Sequence, residues 1–382
     1  MSQRLHDGAV RDRTAEQHLQ NAPEAASTAE RAANSAGGTR HAVQCCGAES
    51  AVYRARRVCD RLGIRHYTKN AADIFEKDVI DKFVEGYLAG ETPNPCVDCN
   101  RSVKFSYLFS IAISMEADFL ATGHYARIEN EGSEYSLRRG LDRSRDQSYF
   151  LYCLQKENLR RILFPLGGLK KTQVRKIAEE LKLPTAAEKE SRGICFVPAG
   201  DYASFLRLHG AEGRKKGEIL SQEGRILGRH DGIFKFTVGQ RKGLGSLGPE
   251  PHYVISLDPS SGNVMAGTRS QAFSRACAVS GLNWLCGRKQ ADGAPLRGTA
   301  LAASRVRGQA SPRSTAMGPA EGERVEVQIR YMQKPVAAKI SPIAGGNVIV
   351  EFSKPQFAVA PGQAAVFYSG DRLLGGGTIK EG

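Results

Sequence analysis

The spacing of apolar residues predicts helices in the first half of the chain. Four stretches share helical spacing: Ser50–Leu62, 71–90, Phe105–Met115 and Thr172–Leu181. Gly63 and Gly90 stand at the ends of the first two stretches, where glycine commonly stops a helix. Ala117–Thr122 is a short apolar run that predicts a buried strand. Helices that alternate with short strands indicate an α/β domain with a parallel sheet.

Beyond Gly200 the pattern changes to short strands separated by turns. Strand-like segments recur in the last third of the chain: Tyr253–Leu257, Val325–Tyr331, Asn347–Phe352 and Ala364–Tyr368. Residues 286–322 are poor in aromatics and rich in Gly, Ala, Arg and Pro, which predicts a long surface insertion. Regular short strands of this kind suggest a small closed β-barrel.

Residues 1–44 differ from the rest of the chain. Their first forty residues contain no aromatic side chain and no isoleucine, and they are rich in Ala, Arg, Glu, Gln and Asn. Such a segment buries little apolar surface, so disorder or a loose helix is expected.

Composition narrows the class of protein. The 382 residues are enough for two or three domains, and the formal charge of +14 favours a polyanionic partner, with nucleic acid as the first candidate. The chain has no membrane-length apolar run and no apolar leader, so no membrane association and a cytoplasmic location are expected. Nine irregularly spaced cysteines indicate reduced thiols rather than a disulfide framework.

The candidate chemistry centres on Thr92–Phe105, which reads TPNPCVDCNRSVKF. A proline on each side of Asn94 predicts a turn through which no helix runs. Cys96 and Cys99 are placed in this turn with basic residues close behind, a setting that favours the thiolate, which is the nucleophile and the metal ligand. On spacing alone the two cysteines are equally typical of a redox pair or of half a metal site.

Two further places carry candidate groups. Gly123 follows the predicted strand, and a glycine there lets a nucleotide lie against the backbone at the carboxyl end of the sheet. His124 comes next and is equally well interpreted as a core histidine. A third cysteine in a candidate position, Cys195, follows Gly193 in the segment SRGICF.

Six sequence blocks together resemble one family. In chain order they are TPNPCVDCN…KF (92–105), ATGHYAR (121–127), RDQSYFL (145–151), SRGICF (191–196), FTVGQRKGLG (236–245) and APGQAAVFYSGDRLLGGG (360–377). This series is similar to the tRNA-specific 2-thiouridylases of the MnmA/TrmU family. The resemblance runs from about residue 45 to the C-terminus.

The resemblance implies a three-part architecture. An adenine-nucleotide α-hydrolase-like α/β domain with a parallel sheet is expected over 45–205, a central domain over 206–270 and a C-terminal β-barrel over 271–382, with the insertion at 286–322. Family members begin with a strand followed by SGGVDSS, which cradles the ATP pyrophosphate. Residues 1–44 contain no such motif. The sheet is therefore expected to lack its first strands and to expose an edge.

The resemblance also implies a reaction and roles for individual residues. The family uses ATP, with Mg²⁺, to adenylate the C2 oxygen of the tRNA wobble uridine, and replaces that oxygen with sulfur from a persulfide that a sulfur-carrier protein or a cysteine desulfurase supplies. Cys99 resembles the nucleophile and Cys195 the persulfide-bearing cysteine, because a second thiol resolves a persulfide through a disulfide bond. Gly123 resembles an ATP contact, and Asn94, Pro95 and Cys96 resemble the segment that meets the target base. Seven positions resemble tRNA contacts: His124, Arg145, Asp146, Gln147, Arg330, Tyr331 and Gln363.

Three alternatives remain open at the level of sequence. Without the phosphate motif, the chain also fits a catalytically inactive tRNA-binding remnant. Cys96, Cys99 and Cys195 are together enough to bind an iron–sulfur cluster that leaves one iron open. The third alternative is a protein that binds a metal through the CxxC pair and has no ATP chemistry.

Overall fold

The computed structural model describes residues 49–188, 193–197, 201–211, 216–245, 247, 249–286 and 324–380, all of which belong to one compact unit, Val43–Gly382. The predicted disordered segment 1–44 and, apart from Cys286, the predicted insertion 286–322 lie outside the described residues. Within those residues, no helix is both long enough and apolar enough to cross a membrane.

Five α-helices are described: two of them contain π-helical stretches, and the last continues into π-helical Arg207–Ala211. They are α1 (Glu49–Leu62), α2 (Ala72–Phe75, π-helical Glu76–Asp81, then Lys82–Leu88), α3 (Pro95–Asp98, π-helical Cys99–Tyr107, then Leu108–Ser114), α4 (Lys171–Glu180) and α5 (Tyr202–Leu206). All four helices predicted from apolar spacing are confirmed. The first, second and fourth differ from the prediction by only a few residues at their ends.

The start of α3 corrects one expectation. The prolines around Asn94 predicted a turn that contains Cys96 and Cys99, but the helix begins at Pro95 and includes both cysteines. Proline is compatible with the first helical position because the N–H that it lacks has no partner in the helix anyway. The two cysteines therefore lie in the first two turns of a helix, with Asn94 just before it.

Fourteen strands are described. They are β1 (Leu120–Ala121), β2 (Ala126–Asn130), β3 (Tyr135–Arg139), β4 (Ile162–Leu163), β5 (Gly217–Leu220), β6 (Ile226–His230), β7 (Tyr253–Leu257), β8 (Val264–Gly267), β9 (Phe273–Trp284), β10 (Arg324–Gln328), β11 (Val336–Ile343), β12 (Asn347–Phe357), β13 (Ala364–Ser369) and β14 (Arg372–Lys380). They form three sheets.

The last six strands close into the predicted barrel. The order β13-β10-β11-β12-β9-β14 returns to β13, and every pair is antiparallel. Its interior is apolar: Val279, Val350 and Phe367 are fully buried, and the Trp284 ring stacks on Phe367 with centroids 5.2 Å apart. Closure leaves no unpaired edge among these strands. The hairpin β2–β3 attaches to the outside of β14.

A smaller sheet of four strands precedes the barrel, in the order β6-β5-β8-β7. The strands β5 and β8 pair in parallel, whereas the other two pairs are antiparallel. Ile233, Val254 and Val264 are buried completely in its core.

In the described part of the α/β region, the parallel sheet is reduced to the pair β1–β4. The predicted strand at Ala117–Thr122 is correspondingly short, since only Leu120 and Ala121 pair. Phe119 is 53% exposed and Leu163 44% exposed. The expectation that the sheet lacks its first strands concerns residues outside the described ones and stays a prediction.

The α/β region and the barrel share one core. Phe105 and Phe109 from α3 pack in the same buried cluster as Tyr149, Leu151 and Tyr152. The barrel residues Val366, Tyr368 and Leu373 complete that cluster. The barrel is therefore part of the support of α3.

Gly239 lies where the FTVGQRKGLG segment meets the barrel. Its φ is +88°, and a Cβ at this position would come within 2.2 Å of the Ala358 Cβ. Gly224 has a similar φ of +77°, but a Cβ there would meet nothing within 4 Å. The two glycines therefore differ in steric contact but not in backbone conformation.

We expect Gly224→Ala to lower the free energy of unfolding by about 1 kcal/mol, the cost of a left-handed alanine. Gly239→Ala is expected to lower the free energy of unfolding by roughly 1–3 kcal/mol more than Gly224→Ala, because its methyl group must displace Ala358. Denaturant unfolding of both variants measures the difference. Equal losses would contradict the close packing at Gly239.

Candidate functional site

The site begins with the segment that enters α3. Pro95 and Val97 are buried, whereas Cys96 and Cys99 are half-buried and so remain partly accessible. The Asn94 carbonyl oxygen accepts a hydrogen bond from the Val97 N–H at 3.0 Å. The helix thus fixes the directions of both thiols.

Cys99 and Cys195, distant in sequence, pack against the same apolar cluster. The cluster is formed by residues of α2, α5 and the Cys195 segment, among them Val79, Phe83, Phe196, Phe205 and Leu206. Both cysteines are thiols in this structure. The fold therefore places both of these cysteines against one cluster, and their roles as nucleophile and persulfide carrier stay predictions.

Phe196 explains why the Cys195 segment lies there. It is only 3% exposed, and its ring is 5.6 Å from Phe75, 5.3 Å from Phe83 and 5.2 Å from Phe205, measured between centroids. Burial of a phenylalanine stabilises by about 1.5–3 kcal/mol. Because Phe196 follows Cys195 directly, its burial fixes the thiol beside the cluster.

Tyr202 is a residue of the site that the sequence analysis missed. Its ring lies 6.3 Å from Phe83 and 6.5 Å from Tyr87. Burial raises the pKa of its phenol, and the charge that Cys96 carries as a thiolate raises it further. The available signal was its position shortly after SRGICF, in an apolar stretch with Phe205 and Leu206.

The segment RDQSYFL connects α3 to the barrel. The buried Tyr149 hydroxyl donates to the Ala364 carbonyl oxygen at 3.0 Å, and the Asn94 side chain is near enough to act on its pKa. The Asn100 side chain donates to the Phe150 carbonyl oxygen at 3.1 Å. Asn94 and α3 are therefore held from the same side by one short segment.

Gln363 connects the barrel to the same segment. Its amide nitrogen donates to the Thr92 carbonyl oxygen at 2.9 Å, and the Thr92 N–H donates to the Pro361 carbonyl oxygen at 2.7 Å. The sequence analysis expected Gln363 to contact tRNA. The structure places it against the backbone that precedes Asn94, and the tRNA contact stays a prediction.

Arg330 and Tyr331 lie together at the end of β10. The Tyr331 ring packs on Phe150 with centroids 4.5 Å apart and is 39% exposed. The Arg330 guanidinium donates to the Ala358 carbonyl oxygen, and burial lowers its pKa. Both residues therefore sit beside the segment that carries Tyr149.

Asp146 and Gln147 form bonds inside the protein. The Asp146 carboxylate is buried, pairs with Arg139 at 3.1 Å, and accepts from the Gly140 N–H. Gln147 accepts from the Tyr125 N–H at 3.0 Å. These bonds fix the turn that follows the β2–β3 hairpin, whereas the neighbouring Arg145 is half-buried. Their contacts with tRNA remain predictions.

Gly123 follows β1, as expected from the sequence. A Cβ at this position would meet only Leu166, at an ordinary 3.6 Å. The described protein therefore has room for a side chain at this position. If glycine is needed here, the need comes from a bound molecule.

His124 has the environment of a core histidine. Its Nδ1 lies 2.7 Å from the Thr122 hydroxyl, and its ring is 5.7 Å from the rings of both Phe105 and Phe164. Burial, assisted by the charge of Lys104, lowers its pKa to about 3. The ring is 8% exposed, so contact with tRNA stays a prediction.

The described residues give no support to the iron–sulfur alternative. Cys96, Cys99 and Cys195 are all described, yet no group of three His, Cys, Asp or Glu side chains in the described residues is arranged to hold a metal ion. Two other thiols are buried: burial raises the pKa of Cys153 and of Cys277 to about 12. They remain protonated at neutral pH.

The low pKa of His124 gives a pH dependence of stability. The unfolded chain binds a proton at this histidine below about pH 6.5, but the folded protein does so only near pH 3. The contribution of His124 to stability is therefore complete above pH 6.5 and falls as the pH falls, by up to about 2 kcal/mol at pH 5.

Between pH 7 and pH 5, we expect the free energy of unfolding to fall less in His124→Gln than in the wild type. The difference should reach up to about 2 kcal/mol. Denaturant unfolding at both pH values measures it. His66→Gln, a half-buried histidine after α1, is the control and should behave as the wild type. An unchanged pH dependence in His124→Gln would contradict a neutral, buried ring.

Family models match three consecutive parts of the chain. The tRNA methyl transferase HUP domain matches residues 15–199, the tRNA methyl transferase PRC-barrel domain residues 204–268, and the aminomethyltransferase beta-barrel domain residues 274–379. The fold class expected from the resemblance is thereby confirmed. The first match begins at residue 15, upstream of the Cys45–Cys46 pair where the sequence analysis placed its start.

Curated relatives agree with these matches. A tRNA-specific 2-thiouridylase MnmA of Carboxydothermus hydrogenoformans is 44% identical over 341 residues, which are 89% of this chain and 85% of the relative. The protein of the same name from Methylobacterium radiotolerans is 41% identical over 352 residues, 90% and 84% of the two chains. The protein of the same name from Heliobacterium modesticaldum is 43% identical over 339 residues, which are 88% of this chain and 80% of the relative. This chain belongs to the tRNA-specific 2-thiouridylase family.

Proposed function

We propose that this protein is a transferase that 2-thiolates the wobble uridine of tRNA in an ATP-dependent reaction in the cytoplasm. The observation that carries the proposal is the packing of Cys99 and Cys195 against one apolar cluster. Two thiols brought together from distant parts of a chain are what persulfide transfer requires. The names of the relatives and the net positive charge support tRNA as the substrate.

Sulfur transfer requires that each thiol has a distinct role. In our proposal Cys195 carries the persulfide received from a sulfur-carrier protein or a cysteine desulfurase. The Cys99 thiolate attacks the Cys195 sulfur and forms a disulfide. The outer sulfur keeps the electron pair of the broken S–S bond and becomes bonded to C2 of the uridine, from which the activated oxygen leaves. A thiol reductant then restores both thiols.

Activation of the C2 oxygen needs a good leaving group. When bound, ATP with Mg²⁺ supplies an adenylate to that oxygen, and Gly123 is the described residue proposed to lie against the nucleotide. The absence of a steric need for glycine within the described chain supports this role. Water must be kept from the activated base, and the aromatic residues beside Cys195 provide an apolar wall.

The target uridine must leave its stack to reach these groups. We propose that Asn94, Pro95 and Cys96 meet the extruded base, because they lie at the start of the helix that carries Cys99. The Asn94 side chain lies near the buried Tyr149 hydroxyl. We propose that the surrounding RNA contacts four residues: Arg145, Arg330, Tyr331 and Gln363. We place three more behind them: His124, Asp146 and Gln147.

A second candidate is a catalytically inactive tRNA-binding protein. The observation that favours it is the absence of SGGVDSS from residues 1–44. This candidate predicts tRNA binding without ATP binding.

Calorimetry with ATP and the 382-residue chain, with and without tRNA, separates the two candidates. Micromolar ATP binding is expected if the protein is an enzyme. No ATP binding with preserved tRNA affinity would overturn the enzymatic proposal and support the inactive binder.

Substitution of either thiol tests the chemistry. Cys99→Ser and Cys195→Ser are each expected to abolish 2-thiouridine formation, measured by mass spectrometry of digested tRNA, because a hydroxyl neither carries nor resolves a persulfide. Their affinity for tRNA should stay nearly unchanged. Cys59→Ser, on α1, is the matched control and should retain activity. Thiolation retained by Cys99→Ser or Cys195→Ser would remove that residue from the mechanism.

A further inference from the structure

Three contacts from the barrel meet at two consecutive residues, Glu91 and Thr92. The Thr92 N–H donates to the Pro361 carbonyl oxygen at 2.7 Å, and the Gln363 amide nitrogen donates to the Thr92 carbonyl oxygen at 2.9 Å. The Lys380 ammonium pairs with the Glu91 carboxylate at 2.7 Å. The barrel therefore holds the main chain of this segment and its one charged side chain.

Two glycines let the neighbouring elements lie close against the same segment. Gly362 has a φ of +88°, and a Cβ there would come within 2.8 Å of the Thr92 nitrogen and 2.9 Å of the Glu91 Cβ. A Cβ at Gly86, on α2, would come within 2.9 Å of the Pro93 Cγ. Because glycine has no Cβ, the barrel and α2 both pack directly on the segment.

The contacts from the barrel share one anchor, Ile379 on β14. Its carbonyl oxygen accepts from the Gly362 N–H at 2.9 Å, and its N–H donates to the Gln363 carbonyl oxygen at 2.8 Å. Ile379 is 1% exposed and belongs to the barrel core, and Lys380 follows it directly. Both Gln363 and Lys380 are therefore fixed to that core.

The link from Thr92 to the cysteines of α3 is short and stiff. Pro93 and Pro95 fix φ on both sides of Asn94, so few backbone rotations remain between Thr92 and the helix. A shift of Thr92 is therefore carried to the start of α3, the helix that contains Cys99.

We propose that Gln363 and Lys380 are positioning residues for sulfur transfer. By holding residues 91–92 they set the place of residues 94–96, and hence of the target base, relative to the Cys99 thiol. The inference rests on the proposed function, because it takes residues 94–96 as the segment that meets the base. Alignment of reacting groups matters strongly, since a misplacement of about 1 Å can lower a rate about 100-fold.

The ion pair is suited to positioning rather than to general stability. The Lys380 side chain is 46% exposed and the Glu91 side chain 31% exposed. Ion pairs this exposed add little to the stability of a fold. Loss of the pair is therefore expected to change the reaction rate while the protein stays folded.

Steady-state thiolation by the full chain tests the inference, with tRNA, ATP and a cysteine desulfurase with cysteine as the sulfur source. Gln363→Met removes the amide donor at similar volume and is expected to lower kcat about 10-fold, with the KM for tRNA unchanged within about 2-fold. Lys380→Glu, which places two carboxylates together, should lower kcat about 5-fold. The double variant Glu91→Lys with Lys380→Glu should recover most of that loss, because it restores an ion pair of reversed polarity.

Two variants are matched controls. Lys156→Gln breaks the Lys156–Glu134 pair, which has a similar length of 2.8 Å but lies away from the segment. Gln271→Met removes a glutamine side chain that accepts from the Thr268 N–H at 2.7 Å. Both should keep the wild-type kcat.

The split between kcat and KM decides the outcome. A raised KM with unchanged kcat in Gln363→Met would overturn the positioning role of Gln363 and leave it as an RNA contact alone. A double variant no more active than Lys380→Glu would overturn the role of Lys380.

Hydrogen exchange gives a readout that needs no activity. In Gln363→Met the amides of residues 91–97 should exchange at least about 5-fold faster than in the wild type, measured by mass spectrometry, because the segment opens more readily. Unchanged exchange would overturn the inference. A wild-type chain that forms no 2-thiouridine would instead overturn the proposed function, and exchange then decides by itself whether the barrel holds the segment.

Discussion

The burial of Phe196 among the aromatic rings of α2 and α5 is the interaction on which the candidate site depends. Cys195 has no regular secondary structure to hold it, and its neighbour Phe196 supplies the anchor. Because Cys99 packs against the same cluster, one apolar cluster contacts both cysteines. Packing against this cluster thus positions the two thiols.

The barrel also takes part in building the site. Tyr149 connects Asn94 to the barrel strand β13, and Gln363 connects the barrel to Thr92. The segment that enters α3 is consequently bonded from two sides before any substrate arrives. Preorganised groups of this kind need little rearrangement when the substrate binds. The same segment reaches Tyr331, so the proposed RNA surface and the thiols share a support.

Local patterns predicted much of this arrangement. Apolar spacing gave the helices, since a helix buries every third or fourth residue, and alternation gave the strands of the barrel. The prediction was wrong where a proline was interpreted as a barrier, because Pro95 begins α3 instead of preceding it. Tyr202 was missed for a different reason: its contacts with Phe83 and Tyr87 are between residues distant in the chain.

The sequence by itself determined the family, the candidate thiols and the positive charge, because these depend on residue identity and order. The tertiary structure decided which candidates meet. It placed Cys195 beside the cluster that contacts Cys99, buried His124 between two phenylalanines, and used Asp146 for an internal ion pair. The physical reason is that proximity and burial arise from packing between distant segments, which no local pattern records.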